Sequence, residues 1–257
     1  MNNKSFLTIS KEECLEIYKN ILENSRKRWE AGKNLATIND YGGATAMAII
    51  SVEEMVKAII IYLDGRGFEF RRIEGMNTIF RNHQIRYVIA YAMFIVHIFG
   101  EELLKFLEWI RNNADELKNI HDGMKENAEI YFEKNLKRYT LKKLVLIKRE
   151  FDWFSQVDFY RQDGFYCDYE EQFKSPISIN QDDYKQVIQR LEKVRRVGKG
   201  LITALERESN FSNNYLCDIR RQFKQKNYYQ HIGKGLSVIR KSRESPFALI
   251  RILFTNR

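Results

Sequence analysis

Apolar positions recur at three- and four-residue spacing along most of the chain, the signature of helices that each bury one face. The first such segment opens with Ser10-Lys11-Glu12-Glu13, a capping box in which the Ser10 hydroxyl takes the Glu13 amide and the Glu13 carboxylate returns to the Ser10 amide. Cys14, Ile17, Tyr18, Ile21 and Leu22 then keep helical spacing up to a charged turn before Gly32. Asp40 is placed to cap a second helix that runs to a stop at Asp64-Gly65. This helix is apolar on more than one side, which predicts a central position. A third stripe, Met76, Ile79, Phe80, His83, Tyr87, Ala90, Phe94 and His97, predicts a helix from about Arg71 to Phe99 that turns two histidines toward a seam. Gly100 is read as the break after it, Glu101 and Glu102 as the first turn of the next helix, and about Lys125 to Phe154 as a further long helix.

From Ser155 to Asn180 the periodicity is read as failing. The segment holds a glycine, a Ser-Pro step and six aromatics, and predicts an ordered loop longer than a plain connection needs. Asn180 or Asp182 caps a helix through Glu206, and shorter helices are predicted at about 212–230 and 245–254. With only two prolines in 257 residues, little interrupts helical periodicity. The expectation is an all-α fold: an antiparallel bundle over 1–154, an aromatic loop over 155–180 packed on it, and C-terminal helices over 181–257 in the same globular unit.

The longest apolar run, Tyr87 to Phe99, is about 13 residues against the roughly 20 that span a bilayer, and predicts a buried helix and no membrane association. The N-terminal stretch lacks the apolar region and cleavage site of a secretion signal. Cys14, Cys167 and Cys217 show no C-x-x-C spacing, so neither a disulfide framework nor a zinc site is suggested. A reducing cytoplasm fits both. The net charge of +9 is uneven: residues 190–257 hold 16 Lys/Arg against 5 Asp/Glu, a balance of +11, which leaves −2 for the rest. That region either attracts phosphate backbones or is a solvated helical face. Its candidate nucleic-acid contacts are Arg195, Arg196, Arg220, Arg221 and Lys224, interleaved with Phe223, Tyr228 and Tyr229.

Three blocks carry a family resemblance. Around the second helix, small residues precede an apolar-Glu-Glu-apolar-x-Lys motif formed by Glu53, Glu54 and Lys57. Downstream, Phe80-Arg81-Asn82-His83-Gln84-Ile85-Arg86 carries a Phe, His and basic triplet at Phe80, His83 and Arg86. Farther on, a Tyr-x-Asp and Ser-Pro succession falls on Tyr166, Asp168, Ser175 and Pro176. In order and approximate separation these blocks resemble the AbiV family of phage-defence proteins, over about residues 10–205. The resemblance implies a HEPN-like helical bundle, of a group whose members often dimerise and act as metal-independent ribonucleases. That group's usual mark is an Arg, four to six residues, then His; here Arg81 and His83 are separated by Asn82 alone.

Metal-free RNA cleavage needs a base near the ribose 2′-hydroxyl, an acid near the leaving 5′-oxygen and positive charge on the phosphate. His83 and Arg86, one turn apart, are candidates, with His83 relaying protons and Arg86 or Arg81 clamping phosphate. The alternative is that His83 is a hydrogen-bonded core histidine. Glu53 and Lys57 at i,i+4 read as a helix-surface ion pair, yet Glu53 borders the stripe of Val52, Val56 and Ile60, where a carboxylate needs a partner such as Arg86 or His83. Such a contact fixes the histidine tautomer or locks two helices together. Glu54, Lys57, Asn82, Tyr166 and Asp168 are read as supporting residues, with Tyr166 and Asp168 in a lid, a docking element or a loop pinned by aromatic burial. No metal site or cofactor motif is indicated.

The expectation is an antiphage abortive-infection effector that arrests host translation or RNA metabolism as a HEPN-type ribonuclease. The other reading is a non-catalytic helical module that binds RNA, a ribosome-associated protein or a phage protein. The apolar third stripe exceeds what one bundle needs and predicts a homodimer. A phage-encoded trigger is a candidate partner.

Overall fold

The computed structural model describes residues 5–73, 77–112, 145–169 and 173–206, together with 217, 218, 221, 222, 230 and 234. Helix α1, Lys11–Thr37, starts at the capping box: Ser10 Oγ accepts from the Glu13 amide at 3.1 Å, and Glu13 Oε2 accepts from the Ser10 amide at 2.7 Å. Helix α2, Tyr41–Gly65, is capped by Asp40, whose carboxylate accepts from the Gly43 amide. The sequence placed both starts. Asn39 takes a left-handed conformation at φ 63° and turns α1 back into antiparallel contact with α2. As its all-round apolar pattern requires, α2 is the central helix, buried from Gly42 to Asp64 on several faces.

After α2 the chain makes a 3-10 turn, Phe70–Arg72, fastened by an ion pair between Arg71 and the buried Asp64. The single helix expected from Arg71 to Phe99 is two pieces, α3 at Asn77–Arg81 and α4 at His83–Asn112. Asn82 divides them, and its side-chain oxygen accepts from the Gln84 amide at 2.8 Å, so it caps α4. Gly100 does not break α4, and Glu101 lies inside that helix rather than at a new start. Nothing crowds Gly100, and the apolar spacing of Phe94, His97 and Ile98 carries the helix across it.

Helix α5 covers 145–163, so the loop expected from Ser155 begins nine residues later, at Gly164. Phe151, Phe154 and Val157 keep helical spacing and are buried. The 125–144 part of the expected long helix lies outside the described residues, as do the helices expected at 212–230 and 245–254 apart from single positions. After α5, two strands of two residues each, β1 at Asp168–Tyr169 and β2 at Phe173–Lys174, pair antiparallel, and Pro176–Ser178 forms a 3-10 turn capped by Ser175. Helix α6, Gln181–Glu206, follows Asn180, whose side chain accepts from the amides of Asp182 and Asp183.

One core joins α1, α2, α4, α5 and α6. Val187, Leu191, Val194, Ile202 and Leu205 of α6 pack in this core beside side chains of α1 and α2. Close approach fixes its upper end: a Cβ at Gly164 would lie 2.5 Å from the Gly42 carbonyl oxygen, and one at Gly42 would lie 2.5 Å from the Pro176 carbonyl oxygen. The Ser-Pro step is thereby seated on the N-terminus of α2.

Candidate functional site

Glu53 lies midway along α2 with its side chain 3% exposed. A carboxylate there needs donors for its lone pairs, and α4 supplies them from its first two turns. His83 Nδ1 stands 2.7 Å from Oε2, Arg86 Nη2 donates to the same oxygen at 2.8 Å, and the Tyr87 hydroxyl donates to Oε1 at 2.5 Å. The spacing of 83, 86 and 87 puts all three on one helical face directed at α2. Helix α5 closes the other side. Asp158 accepts from Arg161 Nε at 3.0 Å and stands 3.1 Å from the Tyr87 oxygen, while Arg161 Nε lies 3.8 Å from Glu53 Oε1.

Burial pushes the Glu53 carboxyl up, but the His83 hydrogen bond, the Arg86 charge and the Tyr87 hydroxyl together hold it below the ordinary carboxylate range. Tyr87 moves the opposite way, raised first by burial and then by the Glu53 charge and hydrogen bond. An ionised Glu53 decides the histidine tautomer. Nδ1 must carry the proton it gives to Oε2, because an unprotonated Nδ1 would set a lone pair against a carboxylate oxygen. Arg86 Nη2, 2.8 Å from Nδ1, then donates to Glu53 rather than to the ring. Nε2 is left as the basic nitrogen, unpaired among the described residues, on a side chain 41% exposed.

The sequence points to Arg86 or His83 as the partner of Glu53, and the structure makes both contacts. It changes the part Arg86 plays. At 3% exposure, with Nη1 donating to the Ile79 carbonyl at 3.0 Å, Arg86 lies beneath His83 and is sealed from solvent. Arg81 is exposed at the end of α3, two residues before His83. Lys57 pairs with Glu54 at 2.5 Å rather than with Glu53, because Glu53 turns inward to α4. Glu54 also accepts from Asn24, joining α1 to α2. Tyr166 and Asp168 are exposed around the hairpin and do not reach Glu53.

Three contributors were missed. In the sequence Tyr87 stands only as part of the apolar stripe, and Asp158 and Arg161 fall in the stretch that reads as a loop. The signal for the last two was present in the continued spacing Phe154, Val157, Asp158 and Arg161.

Arg195 is a correction to the basic patch. It is buried between α1, α2 and α6, where Nη1 donates to Ser51 Oγ at 2.5 Å and Ser25 Oγ at 3.2 Å, and its guanidinium lies 4.3 Å from the Trp29 ring centre. Burial lowers its pKa to about 10. Arg196 is exposed beside Glu101, and Arg221 is exposed and paired with Asp218. Arg220 and Lys224 lie outside the described residues. Among the described residues, no group of three His, Cys, Asp or Glu is placed to hold a metal ion, and no helix is long and apolar enough to cross a membrane.

No curated protein and no solved structure matches the chain. A family model described as AbiV, of HEPN type, matches residues 13–196, a span that begins in α1, ends in α6 and contains every residue of the Glu53 cluster. The chain belongs to the AbiV family of HEPN-like abortive-infection proteins.

Proposed function

We propose that this protein is an abortive-infection effector that arrests host translation or RNA metabolism by metal-independent cleavage of RNA at His83. The observation that carries the reading is the posture of that side chain, with Nδ1 anchored on a buried carboxylate and Nε2 directed away from it on a part-exposed ring. Nε2 takes the proton of a ribose 2′-hydroxyl as its oxygen attacks the adjacent phosphorus. The bond to the 5′-oxygen breaks, and that oxygen takes up a proton from an acid contributed by a second subunit. The products are a 2′,3′-cyclic phosphate and a 5′-hydroxyl. Glu53 fixes the imidazole's tautomer and stabilises the imidazolium, while Arg86 and Tyr87 hold Glu53. A homodimer is supported by Val96 and Phe99, which are exposed on α4 and form an apolar strip beside the bundle.

The second reading, a non-catalytic module that binds RNA, a ribosome-associated protein or a phage protein, is favoured by one feature. Glu53 receives donors on both oxygens and ties α2 to α4, as a purely structural lock would. Purified protein incubated with RNA in the presence of a chelator separates the two. New fragments ending in 2′,3′-cyclic phosphate, absent with His83→Ala, support cleavage; RNA left intact under conditions where the protein binds it supports the module.

A further inference from the structure

Resting on the ribonuclease reading, we propose that Arg161 is the cation that meets the substrate phosphate at the Glu53–His83 site. The two oxygens of Glu53 are shared between helices: Oε2 holds His83 Nδ1 at 2.7 Å, and Oε1 faces Arg161 Nε at 3.8 Å. One carboxylate thus stands between an imidazole from α4 and a guanidinium from α5. Attack by a 2′-oxygen needs such a pair, a base for the hydroxyl and a positive charge for the phosphoryl oxygens next to it.

The other two arginines of the site are poorer choices. Arg86 has both terminal nitrogens committed to Glu53 and Ile79 and is sealed from solvent. Arg81 is exposed, but no contact among the described residues holds its side chain in place. Arg161 combines access with a fixed direction. Its side chain is 15% exposed, and Asp158 Oδ1 takes Nε at 3.0 Å and Nη2 at 2.9 Å. The Tyr87 hydroxyl also faces the guanidinium; Asp158 engages the Nε and Nη2 edge, so the Nη1 side of the fork is the one to take a phosphate oxygen. Two carboxylates, Glu53 and Asp158, face two guanidiniums, Arg86 and Arg161, so no net negative charge in this group repels the incoming phosphodiester.

The test uses a fluorescent 2′-O-methyl oligoribonucleotide, which has the phosphates of RNA but no 2′-hydroxyl to be cleaved, with binding followed by anisotropy over a range of salt. Arg161→Gln is expected to weaken binding about tenfold and to flatten the salt dependence by about 0.7 log unit, the share of one single-strand phosphate contact. Arg161→Lys keeps the charge and loses the fork, so binding weakens severalfold with the salt slope unchanged; this variant stands in should Arg161→Gln fail to fold. Arg81→Gln should stay within about twofold of the unaltered protein. If folded Arg161→Gln and Arg161→Lys bind as the unaltered protein does, with the same slope, the assignment of Arg161 is wrong while the ribonuclease reading stands. If the unaltered protein does not bind the oligonucleotide at all, the ribonuclease reading fails and the assignment falls with it.

Discussion

Tyr87 donates its only hydroxyl proton to Glu53 Oε1 across 2.5 Å, although Asp158 Oδ1 stands 3.1 Å from the same oxygen. The shorter contact and the buried acceptor decide the direction, and the choice links the protein's stability to pH at both ends of the scale. Glu53 is depressed in the folded state, so its contribution is present above the unfolded glutamate value, about 4.3, and is lost as pH falls through the lower folded value. Tyr87 is raised, so its contribution is present below the ordinary tyrosine value of about 10 and is lost as pH rises beyond it. Melting temperatures from pH 3 to 11 should therefore fall at both extremes. Glu53→Gln should flatten the acid limb, and Tyr87→Phe the alkaline one; unchanged limbs in both variants would contradict this assignment.

Arg195 and Arg196 are neighbours in sequence with opposite environments. Arg195→Glu places an acid among Ser25, Ser51 and Trp29 and should cost more than about 3 kcal/mol, enough to unfold a marginal protein. Arg196→Glu changes an exposed site and should stay within about 0.5 kcal/mol. Urea denaturation of the two variants measures both, and equal effects would contradict the buried placement.

Two glycines give opposite signs. In Gly42→Ala the new methyl meets the backbone of Pro176, which cannot swing aside, and a loss of about 1–3 kcal/mol is expected. Gly100→Ala adds a methyl inside α4 with nothing within 4 Å and should gain about 0.4–1 kcal/mol. Thermal denaturation of the pair checks the order.

If Val96 and Phe99 form the twofold contact, light scattering should report a dimer at tens of micromolar for the unaltered protein and a monomer for Val96→Glu combined with Phe99→Glu. A strictly monomeric unaltered protein would remove the second subunit from the proposed chemistry.

The parts of the fold legible in the sequence were those set by local chemistry. Ser10 with Glu13 and Asp40 with Gly43 are short-range caps, and both formed. Glu53 beside Val52 and Val56 announced a buried carboxylate, and the stripe carrying His83 and Arg86 announced its partners. Errors arose where a residue type was given more weight than periodicity. Gly100 reads as a stop by residue type although apolar spacing crosses it, and Arg195 reads as one of a basic cluster although Leu191, Val194, Gly198 and Ile202 place it on the packed face of α6. Asn82 sits inside a continuous stripe, so a helix start there was invisible until its side chain was seen on the Gln84 amide. Arg161 joins the site through a contact across more than a hundred residues, which no local pattern specifies.

The central claim, that Glu53 and His83 form a cleaving pair, is tested most directly by mapping RNA ends in phage-infected cells. Cells carrying the unaltered protein would be compared with cells carrying His83→Ala or Glu53→Gln, matched for protein level. The account predicts discrete new 5′-hydroxyl ends that fall at least about a hundredfold with His83→Ala, the usual loss when a general base is removed, and fall clearly with Glu53→Gln. Phage protection and RNA ends identical in all three strains would contradict it.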